Sequence, residues 1–584
     1  MFDRPLFSSV AACGIAIAAL ASPASAQTRF NDIQGHWGQA CLQELGDRRI
    51  LNGYPDGSFR PNAPVTRAEF ATILDSIFSR RDPVREAIEF ADTDGHWAAI
   101  AITGVYERGF LSGYPNRRFE PNQNIPRVQA LVALVNGLKY VPSQKDTQLT
   151  LTRAFTDAAD IPSYATEAVA AAAERRMAIN YPDATRLEPN RSATRGEIAA
   201  MLCQSLVEMV PDGAIASEYV TTVSLPEIRG VWMTNIDSDV LFSTEKLKAG
   251  LERLAALNFN TIYPTVWNWG YTLYPSEVAE ATFGRSLDPE PGLQGRDMLA
   301  EAIKEGDRLG LRTIAWFEFG FMAPSYSEIA QRYPEWITSR SDGTQTKMEG
   351  EHERVWFNPW HPEVQEFILD LVVEIVTNYD VDGIQFDDHM GLPSEYGYDD
   401  FTVALYRSEH DGKDPPMDTK DPDWLKWRAD KITEFMTRVF RAVKEIDEDC
   451  IVALSPNPQN FAYTEFLQDW RTWERRGLVE EIMLQVYRDD LDRFARELEA
   501  PEVEAARQNI PLGVGILTGL KNRPASLDII QSQVAIARSR GLAGVSFFFY
   551  ESLWRWTTEP VAEREEALRT LFPTFVSAPD VLED

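Results

Sequence analysis

Along the larger, C-terminal part of the chain, short β-rich apolar runs alternate with longer stretches in which apolar residues recur every three or four positions. Eight such runs follow in order: IRGVWMTN, NTIYPTVWN, LRTIAWFEF, VDGIQFDD, CIVALSPN, EIMLQVYR, PLGVGIL and GVSFFFYE. Helical periodicity fits between them, for example at Glu245–Leu257, Arg296–Leu309, Pro362–Asn378, Trp424–Ile446 and Leu527–Gly541. Apolar strands alternating with amphipathic helices predict a parallel sheet, and eight of them over about 340 residues predict a TIM barrel. The alternative, an open doubly wound sheet, lacks the glycine-rich loop expected after its first strand.

The N-terminal part has another rhythm, a repeat of about 60 residues. Its first copy reads FNDIQGHW, NGYPDGSFRPN and VTRAEF; its second reads FADTDGHW, SGYPNRRFEPN and IPRVQA; a looser third reads FTDAADI, INYPDATRLEPN and ATRGEI. Each copy predicts helix, turn and second helix, with Thr66/Glu69 and Thr194/Glu197 forming capping boxes that open the later helix. The copies are unequal: Pro126-Arg127-Val128-Gln129 replaces Thr-Arg-Ala-Glu, and the third copy lacks the His-Trp pair. The expected organisation is therefore a multidomain chain: 27–88, 89–150 and 151–210 as three repeats, 211–224 as a linker, and 225–575 as the α/β barrel.

Composition narrows the chemistry. With 57 basic and 89 acidic residues the formal net charge is −32, which repels nucleic acid and anionic lipid. Residues 1–26 read as a secretory signal, with an apolar run from Val10 to Leu20 ahead of Ala24-Ser25-Ala26; the alternative is a lipoprotein modified at Cys13. The expected location is thus exported, in the periplasm or cell envelope. No other segment is long and apolar enough to predict a membrane span. Of the remaining cysteines, Cys41, Cys203 and Cys450, a Cys41–Cys203 bridge is feasible, but buried thiols are the adopted reading.

In a TIM barrel the functional residues gather at the C-terminal strand ends. Those ends carry Asn235 and Asp237, Trp267 and Asn268, Trp316 and Glu318, and then Asp387, Asp388 and His389. Asn457, Gln485, Tyr487 and Glu551 complete the rim. Acids, amides and aromatic faces together suit a carbohydrate: sugar CH faces stack on rings, and hydroxyls bond to carboxylates and amides. Strand alternation puts Gln385 and Asp387 on the inner face, with Ile384 and Phe386 towards the helices, and aligns Ile314, Trp316 and Glu318 likewise. Glycoside hydrolysis needs two carboxyl groups. The expected pair is Asp387 with Glu318 as general acid, with Asp388 in support and Asp237 or Glu551 in reserve. Trp267, Asn268, Trp316, His389, Asn457, Gln485, Tyr487 and Glu551 are the expected substrate contacts. No cofactor and no metal is expected; an Asp387/Asp388/Asp399 cation site is the alternative weighed against that.

The repeats resemble the S-layer homology domain, in order and composition, over about residues 30 to 207. That resemblance implies non-covalent anchoring to a cell-wall polymer, with anionic sugar contacts at Arg67, Arg127 and Arg195 and at Tyr54 and Tyr114. RGVWMTN, TIYPTVWNWGYTLYPS, FNPWHPEV and GIQFDDH resemble the bacterial glycosyl hydrolase-like family 10 over about Ile228 to Trp556. This implies a TIM-barrel hydrolase of glycan strands, peptidoglycan glycan in particular. The family's FDDY motif falls on Phe386, Asp387 and Asp388, with His389 in place of the commoner aromatic residue. The rival expectations are a non-catalytic wall-binding protein and a displayed hydrolase of an external polysaccharide.

Overall fold

The computed structural model describes residues 30–142, 147–206, 213–223 and 225–581. The expected signal segment lies outside them. The chain forms two compact units, Met1–Val141 with Leu151–Thr222 and Pro142–Thr150 with Val223–Asp584.

The first unit is helical, and a ring of backbone bonds closes its three repeats. Val65 N–H donates to Ala193, Ala193 to Ile125 and Ile125 back to Val65, at 3.0, 2.8 and 2.9 Å. One repeat leaves these extended residues unpaired, so three are needed to satisfy the backbone around a shared core. Both capping boxes form, at Thr66/Glu69 and Thr194/Glu197, ahead of helices Arg67–Phe78 and Arg195–Ser205. Asp32, Asp92 and Asp157 each accept two backbone N–H groups in the turn of their own repeat. Cys41 and Cys203 form a disulfide, which corrects the expectation of free thiols; the two lie 162 residues apart, and only closure of the ring brings them together. Cys450 is a buried thiol. Segment 215–221, which has no period, packs on the third repeat: Val220 pairs with Ile179, and Ile215, Val220 and Thr221 are buried.

The second unit is a closed eight-stranded parallel barrel. Its strands are β1 Ile228–Met233, β2 Thr261–Asn268, β3 Arg312–Phe317, β4 Gly383–Asp387, β5 Ile451–Ser455, β6 Glu481–Gln485, β7 Leu512–Leu517 and β8 Gly544–Phe548. Each pairs with the next in the chain, and β1 pairs with both β2 and β8, which closes the cylinder. All eight predicted strands are therefore present. Ile228, Trp232, Tyr263, Ile314, Trp316, Ile451, Ala453 and Met483 form the core inside the barrel. A buried carboxylate, Glu481, sits in that interior and accepts from Tyr263 Oη at 3.1 Å and Arg312 Nη2 at 2.6 Å. The larger core lies between strands and helices and includes Ile384 and Phe386, on the outward face that alternation predicts. Between β3 and helix Pro362–Asn378, a three-stranded antiparallel insert (Met322–Pro324, Lys347–Glu349, His352–Trp356) follows the end of β3.

Candidate active site

Glu318 follows β3 and is buried, with three side chains converging on one of its oxygens. Thr234 Oγ1 (2.6 Å), Thr265 Oγ1 (3.1 Å) and Asn268 Nδ2 (2.8 Å) all donate to Oε2. The Asn268 amide is fixed in orientation, because Trp269 N–H donates to its Oδ1 while Nδ2 also donates to Asn235 Oδ1. No described donor reaches Oε1. Burial raises the Glu318 carboxyl to about 7, against the opposing pull of the two threonine hydroxyls, His389 and Arg354. A carboxyl at this value keeps a proton near neutral pH and can donate it. Oε2 already accepts an amide N–H, so the available proton belongs on Oε1.

Asp387 ends β4, one step above the inward-facing Gln385, whose Oε1 accepts from Trp232 Nε1 at 2.7 Å. Its Oδ1 accepts from Gln485 Nε2 at 2.6 Å and from Asp388 N–H. Burial, then the Asp388 and Glu318 charges, raise its carboxyl well above the usual range. Asp388 accepts from Asn457 Nδ2 at 2.7 Å and lies 3.3 Å from His389 Nδ1. His389 Nδ1 is also 3.1 Å from the Glu318 carbonyl oxygen. Tyr487 stands close enough that Asp387, Asp388 and Glu318 add to burial in raising its hydroxyl. Glu318, Asp387, Asp388, His389, Asn268, Asn457, Gln485 and Tyr487 thus form one polar cluster at the C-terminal end of the barrel. Asp387, Asp388 and His389 each present a ligand atom within 4.8 Å of the others, the one group of this kind among the described residues, and are the residues able to hold a metal ion. Asp399 does not join them: it caps helix Asp400–Glu409 and accepts from Thr338 and Asn358.

Three of the expected contacts, Trp267, Trp316 and Glu551, lie outside this cluster. Trp267 is fully buried in the core between strands and helices, with its Nε1 bonded to Gly320. A register shift between Thr265 and Trp267 is the cause: Thr265 and Asn268 point inward, and Val266 and Trp267 both face out. Trp316 is sealed in the barrel interior against Trp232 and Phe548, one inward position before Glu318, and offers no open face for stacking. Glu551 is buried and accepts from Ser238 at 3.3 Å, while Asp237 is an exposed partner of Lys521. Thr234, Thr265 and Arg354 are residues that sequence reasoning missed. A threonine inside a strand reads as a strand former, and nothing in the stretch EGEHERVW marks its arginine.

The repeat arginines are less open than expected. Arg67 and Arg127 are 3% and 1% exposed. Each arginine reaches into the next repeat and donates to two carbonyls: Arg67 to Phe119 and Ser112, Arg127 to Leu187 and Ile179, Arg195 to Phe59 and Asn52. Arg127 also pairs with Glu197, so its expected role as a surface contact is corrected to that of an internal clamp. Arg195 is partly exposed, over the half-buried Tyr54 ring at 5.0 Å. Tyr114 lies equally close to the buried Arg67.

S-layer homology domains match residues 29–71, 89–131 and 154–199, and the glycosyl hydrolase-like 10 family matches 227–534. A cellulosome-anchoring protein of Acetivibrio thermocellus is 32% identical over 112 residues, 18% of this chain and 25% of that protein. The glycosyl hydrolase DigH of Escherichia coli (strain K12) is 24% identical over 297 residues, 46% of this chain and 63% of that protein. The chain thus spans less than two thirds of the length of either curated relative. The glycoside hydrolase domain of PgaB (BpsB) from Bordetella bronchiseptica superposes with a TM-score of 0.45 at 16% identity, over 59% of this chain and 98% of that one. Half of the chain, from Glu227 to Val534, lies within one family: the protein carries three S-layer homology domains and belongs to the glycosyl hydrolase-like 10 family.

Proposed function

We propose that this protein is a glycoside hydrolase held at the cell envelope by its repeats, and that it cleaves a polymeric wall glycan, peptidoglycan strands first. The observation that carries the reading is the pairing of a buried carboxyl at about 7, Glu318, with a second buried acid, Asp387, at the same end of the barrel. Glu318 Oε1 protonates the leaving glycosidic oxygen. Asp387 acts on the opposite side of the reacting carbon as nucleophile or base. Asp388, beside Asp387, adds negative charge that stabilises the positive charge developing on the sugar. Gln485 and Asn457 hold the two carboxylates, and Tyr487 and His389 bind hydroxyls. In the repeats, polymer contact falls to Arg195 with Tyr54. Anchoring keeps the barrel beside its polymer, so local substrate concentration rises without a tight active-site affinity.

The test is release of reducing ends from purified peptidoglycan by the protein, beside Asp387→Asn and Glu318→Gln. The expected result is turnover by the parent and a loss of about 10³-fold or more in each variant. Turnover that survives both changes, or its absence in the parent while glycan is still bound, rejects the reading in favour of a wall-binding protein.

A further inference from the structure

Arg354 stands out among the buried arginines. It lies on strand His352–Trp356 of the insert and is 5% exposed. Its guanidinium is 4.2 Å from the ring centre of Trp269, which follows Asn268, and 5.2 Å from that of Phe319, which follows Glu318. Glu349 and Tyr326, and then Glu318, act on its charge, and with the two rings that adjoin Asn268 and Glu318 this places the cation between the insert and the polar cluster. Yet Nε and Nη1 are buried without a hydrogen-bond partner, and among the described residues no carboxylate oxygen lies within 4.0 Å of it. Arg428 and Arg564 are buried as deeply but donate to carbonyls of Ser394, Tyr396 and Thr419, or of Ser552 and Ala525, and Arg564 also pairs with Glu559.

Two aromatic faces offset part of the cost of burying this charge, but they supply no acceptor for its N–H groups. The missing partner is an anion with planar oxygens, which a guanidinium engages by paired hydrogen bonds. It carries one charge rather than two, because Glu349 already acts on this cation and the adjoining cluster is acidic, and both repel a dianion. The adjoining Trp269 and Phe319 rings suit the CH face of a sugar.

We propose that Arg354 is the carboxylate-recognising residue of this site, and that the sugar bound beside Glu318 carries a free carboxylate. This rests on the reading of the barrel mouth as a glycan site. Two sources share the chemistry, a uronic acid and an amino sugar bearing a lactyl ether, so the experiment separates them.

The full-length protein is titrated calorimetrically with peptide-free wall-glycan oligosaccharides and with oligogalacturonides. Each probe is used as prepared and again after its carboxyls have been reduced to alcohols. The parent is expected to bind the carboxylated form of one probe about 100-fold more tightly than its reduced form, the scale of a buried charge pair. Arg354→Gln is expected to abolish that preference while binding the reduced form as the parent does, and Arg354→Lys to retain part of it. A parent that shows no preference for either carboxylated probe overturns the proposal whether or not Arg354→Gln folds. So does an equal loss on both forms in the variant, which marks a purely structural arginine. A preference that survives in a protein without turnover refutes the hydrolase reading and upholds this one.

Discussion

Glu197 in the repeats and Glu318 in the barrel are almost equally buried, at 5% and 7% exposure, yet their proton affinities move in opposite directions. Burial pushes both up. At Glu197, Arg127 and Arg191 outweigh it and hold the carboxyl below its ordinary value. At Glu318 the neighbours are hydroxyls and an amide, with His389 and Arg354 acting only at longer range, and the carboxyl rises to about 7. Burial alone therefore does not distinguish a structural acid from a reactive one. The nearest cation does: a paired carboxylate is spent on the fold, and an unpaired one keeps a proton to give.

Swapping the amide for each acid should show the largest contrast. Glu318→Gln is expected to cost about 10³-fold in turnover while leaving the protein as stable or more so, because it removes a buried group that resists ionisation. Glu197→Gln is expected to leave turnover on soluble fragments unchanged and to lose about 3 kcal/mol on melting, because Arg127 keeps its burial and loses its counter-charge. The same loss of stability in both variants would collapse the distinction.

Titrating stability gives the next contrast, because the two acids slope in opposite senses. Glu318 goes from 4.5 in the unfolded chain to about 7 in the fold, so its favourable contribution is complete below pH 4.5 and is lost as the pH rises through 7. The shift is worth about 3 kcal/mol. Glu197 is depressed below 4.5, so its contribution is complete above that pH and is lost as the pH falls through its folded value. Melting between about pH 2 and 8 should show the alkaline loss disappear in Glu318→Gln and the acid loss shrink in Glu197→Gln.

The sequence made the barrel legible because its strands are buried on both faces and read as continuous apolar runs, and because Asp387 and Glu318 obey simple alternation. Alternation failed at Trp267, where the shift after Thr265 turns the following side chain outward and no residue type announces it. In the repeats, the motif around Arg67, Arg127 and Arg195 was plain. The burial of Arg67 and Arg127 was not, since each guanidinium is satisfied by carbonyls of the next repeat, and a reading of single repeats cannot see a ring close. The Cys41–Cys203 bridge was obscured for the same reason. Arg354 lies in an acid-rich insert between barrel elements, and its lack of a partner is a fact of three dimensions only.

The smallest effect expected is the most specific to the Glu318 cradle. Thr234→Val keeps the side-chain shape and removes the shortest of the three donors, at 2.6 Å, which favours the ionised form of Glu318. Its loss should raise the carboxyl and move the alkaline limb of kcat/KM upward by about one pH unit, since a hydrogen bond to a charged group is worth about 1.5 kcal/mol or more. Thr265→Val removes a 3.1 Å donor on the same oxygen and should move the limb less. A limb that stays put in both variants while activity falls would assign it to the Asp387/Asp388 pair. The proton donor would then sit on β4 rather than after β3, and Glu318 would join Glu197 as an acid that serves the fold.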